Sequence, residues 1–196
     1  MKIKFLIMNP SLKTYLHVLK QYGLQNNIPN VTDEVGQFLN MMIKIKKPKT
    51  ILEIGCANGY STIWMAEAAS QVGAMIHTVD HSAPTFAEAQ KNLKEVGLEA
   101  YVTFNFGDAR EVIPQMQNPL SFDFVFVDGQ KASYLDFWNL VKDRLSPQAV
   151  LIFDDMLAFQ EKTKSFSESI KNLEGFDQLT IPMDEKDGIL FMLKTS

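Results

Sequence analysis

The segment Ile51-Leu-Glu-Ile-Gly-Cys-Ala-Asn-Gly-Tyr-Ser61 restricts the fold more than any other part of the chain. A short apolar run ends near an acid, Gly55 and Gly59 follow, and the pattern turns helical from Tyr60. A buried parallel strand, a turn that permits close backbone approach and a helix N-terminus together form a nucleotide cradle. The spacing is Glu-x-Gly-x-x-x-Gly, not the Gly-x-Gly-x-x-Gly of dinucleotide folds, and so points away from hydride transfer.

Strand-like runs at Ile51–Ile54, Met75–Val79, Tyr101–Phe106, Phe122–Val127 and Ala149–Phe153 alternate with helical stretches near Tyr60–Ser70, Pro84–Val96, Ala109–Met116 and Tyr134–Leu145. The runs are apolar on both faces, as buried parallel strands are, which predicts a doubly wound α/β sheet with helices on both faces. Phe176–Ile181 and Ile189–Leu193 are separated only by the turn-rich Pro182–Gly188. With no room for a crossover helix they are expected to pair antiparallel at one edge, completing a seven-stranded, mostly parallel sheet. Ahead of the first strand, Ser11–Gln25 and Asp33–Lys46 read as two helices, and Asn30–Asp33 offers caps between them. The expected organisation is one domain over residues 1–196, a helical cap at 1–47 and a core at 48–196.

With 46% apolar residues, a chain of 196 residues can bury one sizeable core. Its net charge of -4 argues against broad electrostatic binding of nucleic acid. The basic run Lys44–Lys49 reads either as the Lys-rich end of a helix before Pro48 or as a local basic patch. Cys56 is the single cysteine, which excludes an intramolecular disulfide and a thiolate zinc cluster and suits a reducing compartment. Met1–Met8 has the outline of a signal peptide, but its apolar core is too short before Asn9-Pro10. No run approaches the roughly 18 apolar residues of a membrane span. The expectation is a cytoplasmic protein that does not enter a membrane.

In open α/β sheets, ligands bind beyond the carboxyl ends of the strands. The acids there are Glu53, Asp80, Asp108, Asp128 and the pair Asp154-Asp155. Together with the Glu-x-Gly-x-x-x-Gly turn, they favour S-adenosylmethionine (SAM) over a dinucleotide. Asp80 is positioned to accept both ribose hydroxyls, and Asp108 and Ala109 fall where an adenine would lie. His81 either touches the adenosine or sits in a solvated loop. Asp128, Asp154 and Asp155 read in two ways. They are three hard oxygen donors for one cation, suiting Mg2+ or Ca2+ far better than zinc. Alternatively, Asp155 caps a helix near Met156–Leu173 and Asp154 merely turns the chain. His17, His77 and His81 have no spacing for a triad or a zinc site.

Five segments carry a resemblance: Val31-Thr-Asp-Glu-Val-Gly-Gln-Phe-Leu39, Leu52-Glu-Ile-Gly-x-x-x-Gly-Tyr-Ser61, Phe122-Asp-Phe-Val-Phe-Val-Asp-Gly-Gln-Lys131, Phe153-Asp-Asp155 and Ile181-Pro…Asp187-Gly188. In order and at matching distances they resemble the magnesium-dependent SAM O-methyltransferases of the catechol and caffeoyl-CoA type, small bacterial members included. The likeness covers about residues 28–194. It implies a Rossmann-like class I methyltransferase fold, a parallel core closed by an antiparallel hairpin. By position it implies that Val31, Glu53, Gly55, Ser61, Asp80 and Ala109 line the SAM pocket, with Cys56, Gly59, His81, Asp108 and Asp128 beside them. It also implies that Asp128, Asp154 and Asp155 hold Mg2+ or another hard divalent cation, and that Lys131, with Asp128, serves the reacting oxygen. Small bacterial relatives commonly pair, which makes a homodimer the expected assembly.

The implied chemistry needs a deprotonated acceptor oxygen in line with the sulfonium methyl, about 3 Å away. A cation held by both oxygens of a vicinal diol fixes that alignment and lowers the hydroxyl pKa, while Lys131 takes the proton or stabilises the oxyanion.

Three positions depart from the family pattern. Asp155 stands in place of an Asn, so that the expected ligand shell carries three carboxylates, which tightens metal binding and opposes an anionic substrate oxygen. Gln130 replaces an Asp in the Asp-Ala-Asp-Lys run, and Met156–Gln160 leads directly into a helix where relatives insert a longer loop. The shortened rim implies an open acceptor site, edged by Phe159 and Trp138. The leading expectation is methyl transfer to a small, catechol-like hydroxylated acceptor. Two alternatives are methylation of a hydroxyuridine in tRNA and a SAM-binding protein without turnover.

Overall fold

In the computed structural model, which describes residues 9–116 and 121–195, the apolar runs form seven strands. These are β1 (Thr50–Ile54), β2 (Met75–Asp80), β3 (Val102–Phe106), β4 (Phe122–Val127), β5 (Leu145–Phe153), β6 (Phe176–Pro182) and β7 (Gly188–Lys194). They lie in the order β3-β2-β1-β4-β5-β7-β6. The first five pair in parallel, while β7 is antiparallel to both β5 and β6. The expected hairpin therefore forms at one edge, with β7 inside and β6 outermost. The Met1–Met8 segment lies outside the described residues.

Because side chains alternate along a strand, each central strand feeds two cores. Ile51, Phe124, Phe126, Val150 and Ile152 join one buried cluster with α1 (Pro10–Asn26), α2 (Asp33–Lys46), α3 (Tyr60–Val72) and Leu93 of α4 (Ala83–Glu95). Leu52, Ile54, Val125, Val127 and Leu151 join the other, with α5 (Ala109–Gln115), α6 (Tyr134–Val141) and α7 (Gln160–Ile170). The two predicted N-terminal helices thus lie against α3 on one face. Among the described residues no helix is long and apolar enough to cross a membrane.

Two boundaries differ from expectation, each for a local reason. Helix α6 ends at Val141, and β5 begins at Leu145 rather than Ala149. Pro147 and Gln148 (φ 59°) interrupt its pairing to β4, and the register shifts between Phe122 and Phe124 before regular pairing resumes at Val150. The stretch after Asp155 turns for four residues before α7 starts at Gln160. Asp155 has a left-handed φ of 58°, and the Met156 amide ties the chain to Gly188 O of β7 at 2.9 Å, while the residue that caps α7 is Phe159. Asp155 is consequently not the cap of α7.

The basic run falls at the other end of the sheet from the strand carboxyl ends. Lys44 pairs with Glu67 at 2.8 Å, and Lys47 closes α2 in the left-handed region. The Lys49 and Thr50 amides donate to Asp123 Oδ2 at 2.8 and 2.9 Å, where β1 begins. Its helix-end reading is the one the structure bears out.

Candidate active site

A cleft of about 1180 Å³ opens at the carboxyl ends of β1, β2 and β4, where the strand order reverses direction. Its floor is the Gly55–Ser61 turn. Gly55 has φ 95°, and a Cβ there would lie 2.7 Å from the Asp128 carbonyl oxygen, so the close passage of the β1 and β4 ends requires glycine. Ala57 is also left-handed (φ 44°). Asp80 holds this turn: its Oδ2 accepts the Cys56 and Ala57 amides at 3.0 and 2.9 Å, and its Oδ1 accepts Ser82 N at 2.8 Å. The N-terminus of α3 then presents Ser61 to the cleft.

Most predicted residues meet in this one space. Val31, Gly55, Cys56, Ser61, Asp80 and His81 line it, as do Asp108, Ala109, Asp128, Lys131, Asp154 and Asp155. Gly59 and Glu53 are not among the lining residues. Gly59 caps α3, and Glu53 lies fully buried behind the wall. Ser61 Oγ donates to Glu53 Oε1 at 2.6 Å, while Thr62 and Thr78 donate to Oε2, each at 2.7 Å. Burial pushes the Glu53 carboxyl up to about 7, against the pull of these three hydroxyls. Burial likewise raises the Cys56 thiol well above its ordinary value, which keeps it protonated. Trp138 is buried against Phe176 and does not reach the cleft, whereas Phe159 does.

At the β3 end, Asp108 caps α5 by accepting Arg110 N at 2.8 Å. It also takes the Arg110 guanidinium through both oxygens, at 2.9 and 2.6 Å. These donors hold the Asp108 carboxyl down at about 2, despite its exposure.

The opposite end is acidic. Lys131 Nζ lies 2.5 Å from Asp128 Oδ1 and 2.7 Å from Asp155 Oδ2, with the Tyr134 ring centroid at 5.6 Å. Burial alone would lower the lysine pKa; the Asp128 charge, with Tyr134 and Asp155, outweighs it and raises that pKa above the ordinary value. Burial raises Asp128, with Asp187 and Asp80 adding to the effect. It also lifts Asp154, which feels both Asp128 and Asp155. Asp155 is pushed up to about 6 by burial and by its hydrogen bond to Asp187. Asp128, Asp154 and Asp155 supply the hard oxygen chemistry that suits Mg2+, and one lysine leaves their charge only partly neutralised. The fit lies in the donor chemistry. In geometry, two of the carboxylates are turned onto Lys131, and among the described residues no group of three or more His, Cys, Asp or Glu is set out to hold a metal ion.

Asp187 was not singled out from sequence as a site residue, although its Asp-Gly pair marked the closing segment. Its Oδ1 accepts the Leu157 and Ala158 amides at 3.0 Å each, and Gly188 N at 2.6 Å. It therefore ties the loop after Asp155 to β7. Arg110, Phe137 and Lys162 also line the cleft without a sequence signal that marked them; Lys162 Nζ lies 5.0 Å from the Phe159 ring centroid. None of Lys44–Lys49 lines the cleft.

Comparison with known proteins agrees with this architecture. Residues 9–184 match the O-methyltransferase family. The chain is 32% identical to a catechol O-methyltransferase of Niastella koreensis over 130 residues, which cover 65% of this chain and 58% of that protein. It is 30% identical to the caffeoyl-CoA O-methyltransferase of Medicago sativa over 135 residues, covering 67% and 54% respectively. The chain spans a little over half the length of these curated relatives. Among solved structures, the O-methyltransferase of Bacillus cereus in complex with SAH superposes with a TM-score of 0.84 at 24% identity, covering 97% of this chain and 94% of that one. TomG of Streptomyces achromogenes, an O-methyltransferase solved with SAM, gives 0.82 at 21%, covering 98% and 93%. The strand order, the Gly55–Ser61 turn and the match over most of the sequence agree: the chain belongs to the O-methyltransferase family that includes the catechol and caffeoyl-CoA O-methyltransferases.

Proposed function

We propose that the protein is a SAM-dependent O-methyltransferase that methylates a hydroxyl of a small, catechol-like acceptor. The observation that carries this reading is continuity. One cleft runs from the adenosine-like end at His81 and Asp108, past the Gly55–Ser61 turn, to the Asp128–Lys131–Asp155 cluster. A donor and an acceptor bound at its two ends would meet over Gly55 and Asp128.

In this reading Asp80 holds the turn and has lone pairs left for ribose hydroxyls. Asp108 and Ala109 border the adenine, Val31 closes over the donor from the α1–α2 loop, and the N-terminal turn of α3 with Ser61 meets the donor carboxylate. Glu53 acts from behind the wall by orienting Ser61.

The methyl group is already activated by the sulfonium, so the protein's task is to align the acceptor oxygen and manage its proton. Lys131, held as an ammonium by two carboxylates, stabilises the developing oxyanion by charge and hydrogen bonding. Its raised pKa argues against a role as the base in this arrangement. With no cation on it, the Asp155 carboxyl, at about 6, is matched to accept the acceptor proton near neutral pH. A hard divalent cation on Asp128, Asp154 and Asp155 would supply Lewis-acid lowering of the hydroxyl pKa.

The test is an acceptor screen with methyl-labelled SAM over catechols, hydroxycinnamoyl thioesters and tRNA, each with Mg2+ and with chelator. Labelled catechol-type product supports the proposal. Label in tRNA alone replaces the acceptor, and tight SAM binding without any labelled product would leave a binding protein.

A further inference from the structure

The three acids at the ends of β4 and β5 are read above as a cation site, yet the ion that two of them hold is the protein's own. We propose that the Lys131 ammonium is a built-in occupant of the cation position, so that a divalent cation binds Asp128 and Asp155 only as Lys131 leaves them. This rests on the cation reading given under the proposed function.

The geometry is specific. Lys131 opens a short 3-10 turn, Lys131–Ser133, three residues after Asp128. That turn carries its side chain back over the end of β4, where Nζ contacts Asp128 Oδ1 and Asp155 Oδ2 at 2.5 and 2.7 Å. Only 12% of the side chain is exposed, and the Tyr134 ring sits against the ammonium. Tyr134 is itself fixed, since its hydroxyl donates to Asp154 O at 2.9 Å. Two carboxylates and a ring face thus make a cation seat that an ammonium already fills.

Asp155 completes the seat. An amide at this position would present an oxygen to a metal but no charge to the lysine, whereas the carboxylate anchors Lys131 from the β5 side. Its left-handed backbone (φ 58°) sets its side chain toward the lysine, with Oδ2 2.7 Å from Nζ. A divalent ion needs the same oxygen lone pairs that the ammonium now takes. An ammonium and a metal ion sharing them would repel at contact distance. Occupancy is therefore exclusive, and the departure at Asp155 raises the barrier to cation entry as well as adding a ligand charge.

The experiment compares Mn2+ binding by wild type and Lys131→Met, read as loss of the free-ion EPR signal, with SAH binding and a thermal melt as controls for folding. The variant is expected to bind Mn2+ about tenfold or more tightly than wild type, the effect of removing one unit of positive charge at contact distance. Equal or weaker binding by a folded variant overturns the exclusion and leaves the cation site standing. Absence of Mn2+ binding by both proteins overturns the cation site, and the exclusion with it. A second readout uses wild type alone: acylation of the Lys131 amine, followed by mass spectrometry across a Mg2+ titration. Labelling is expected to rise as Mg2+ displaces the amine from its two carboxylates. A flat labelling curve over the range in which the ion binds overturns the proposal.

Discussion

The carboxylate of Asp80 holds the backbone of Ala57: Oδ2 accepts the Ala57 amide at 2.9 Å and fixes a non-glycine residue at φ 44°. The same oxygen takes Cys56 N, and the other takes Ser82 N. The acid expected to meet a ribose is thus also the strut that shapes the turn beneath it. Asp80→Ala removes three charge-assisted bonds, each worth about 1.5–3 kcal/mol at most, and releases the strained turn. SAH affinity measured by calorimetry is expected to fall at least about tenfold, with a lowered melting temperature. Asp80→Asn keeps one carbonyl oxygen for the turn and should lose less. Unchanged affinity in the alanine variant would show that the turn stands without its strut.

Gly55 gives a sharper contrast. A methyl there meets the Asp128 carbonyl at 2.7 Å, while at Gly73 (φ 75°) nothing lies within 4 Å. Both alanine variants carry left-handed strain of about 1–2 kcal/mol, but only Gly55→Ala must also push β1 and β4 apart. Urea unfolding should show a cost of about 1–2 kcal/mol for Gly73→Ala and clearly more for Gly55→Ala, together with lost SAH binding. Equal costs would mean that the strand ends yield freely.

Glu53 predicts a pH signature. Its carboxyl titrates at about 7 when folded, against 4.5 in the unfolded chain. Between those values the folded protein keeps a proton that the unfolded chain gives up, so stability from this group is lost as pH rises from about 4.5 to 7. The full swing is on the order of 3 kcal/mol. Glu53→Gln cannot titrate and lacks that slope. Wild type should therefore lose stability relative to the variant on going from pH 5 to pH 8. A difference that is the same at both pH values would place the Glu53 titration elsewhere.

These residues also show where the sequence was readable. The alternation of β-branched and aromatic runs with helical patterns was enough for seven strands, because strands buried on both faces leave little else for such runs to do. The acids at the strand ends were likewise readable as one site, since the topology must bring those ends together. What sequence could not show was direction. Glu53 shares its face with Ile51, toward α3, so it points into the core beneath Ser61 and away from the cleft. Nor could spacing show that Lys131 would turn back onto Asp128 and Asp155, or that Asp187 would close the loop from β7. The start of α7 was misplaced because it depends on one backbone torsion at Asp155 and one amide bonded across to Gly188.

Asp187 allows the two ends of the cleft to be separated by mutation. It accepts the Leu157, Ala158 and Gly188 amides, and its carboxyl faces that of Asp155. Burial opposes its ionisation, but these donors outweigh burial and lower its pKa, so it is charged at neutral pH. Asp187→Ala frees the loop carrying Asp155 and Phe159, both of which line the acceptor end, and touches nothing at the Gly55–Ser61 turn. SAH affinity should stay within about twofold of wild type, while kcat/KM for the acceptor falls about tenfold or more, since misplacing the reacting oxygen by an ångström is that costly. Asp187→Asn retains a carbonyl oxygen for the two loop amides and should recover much of the loss. If the alanine variant instead weakens SAH binding and leaves acceptor kinetics intact, the loop serves the donor, and the division of the cleft proposed here is reversed.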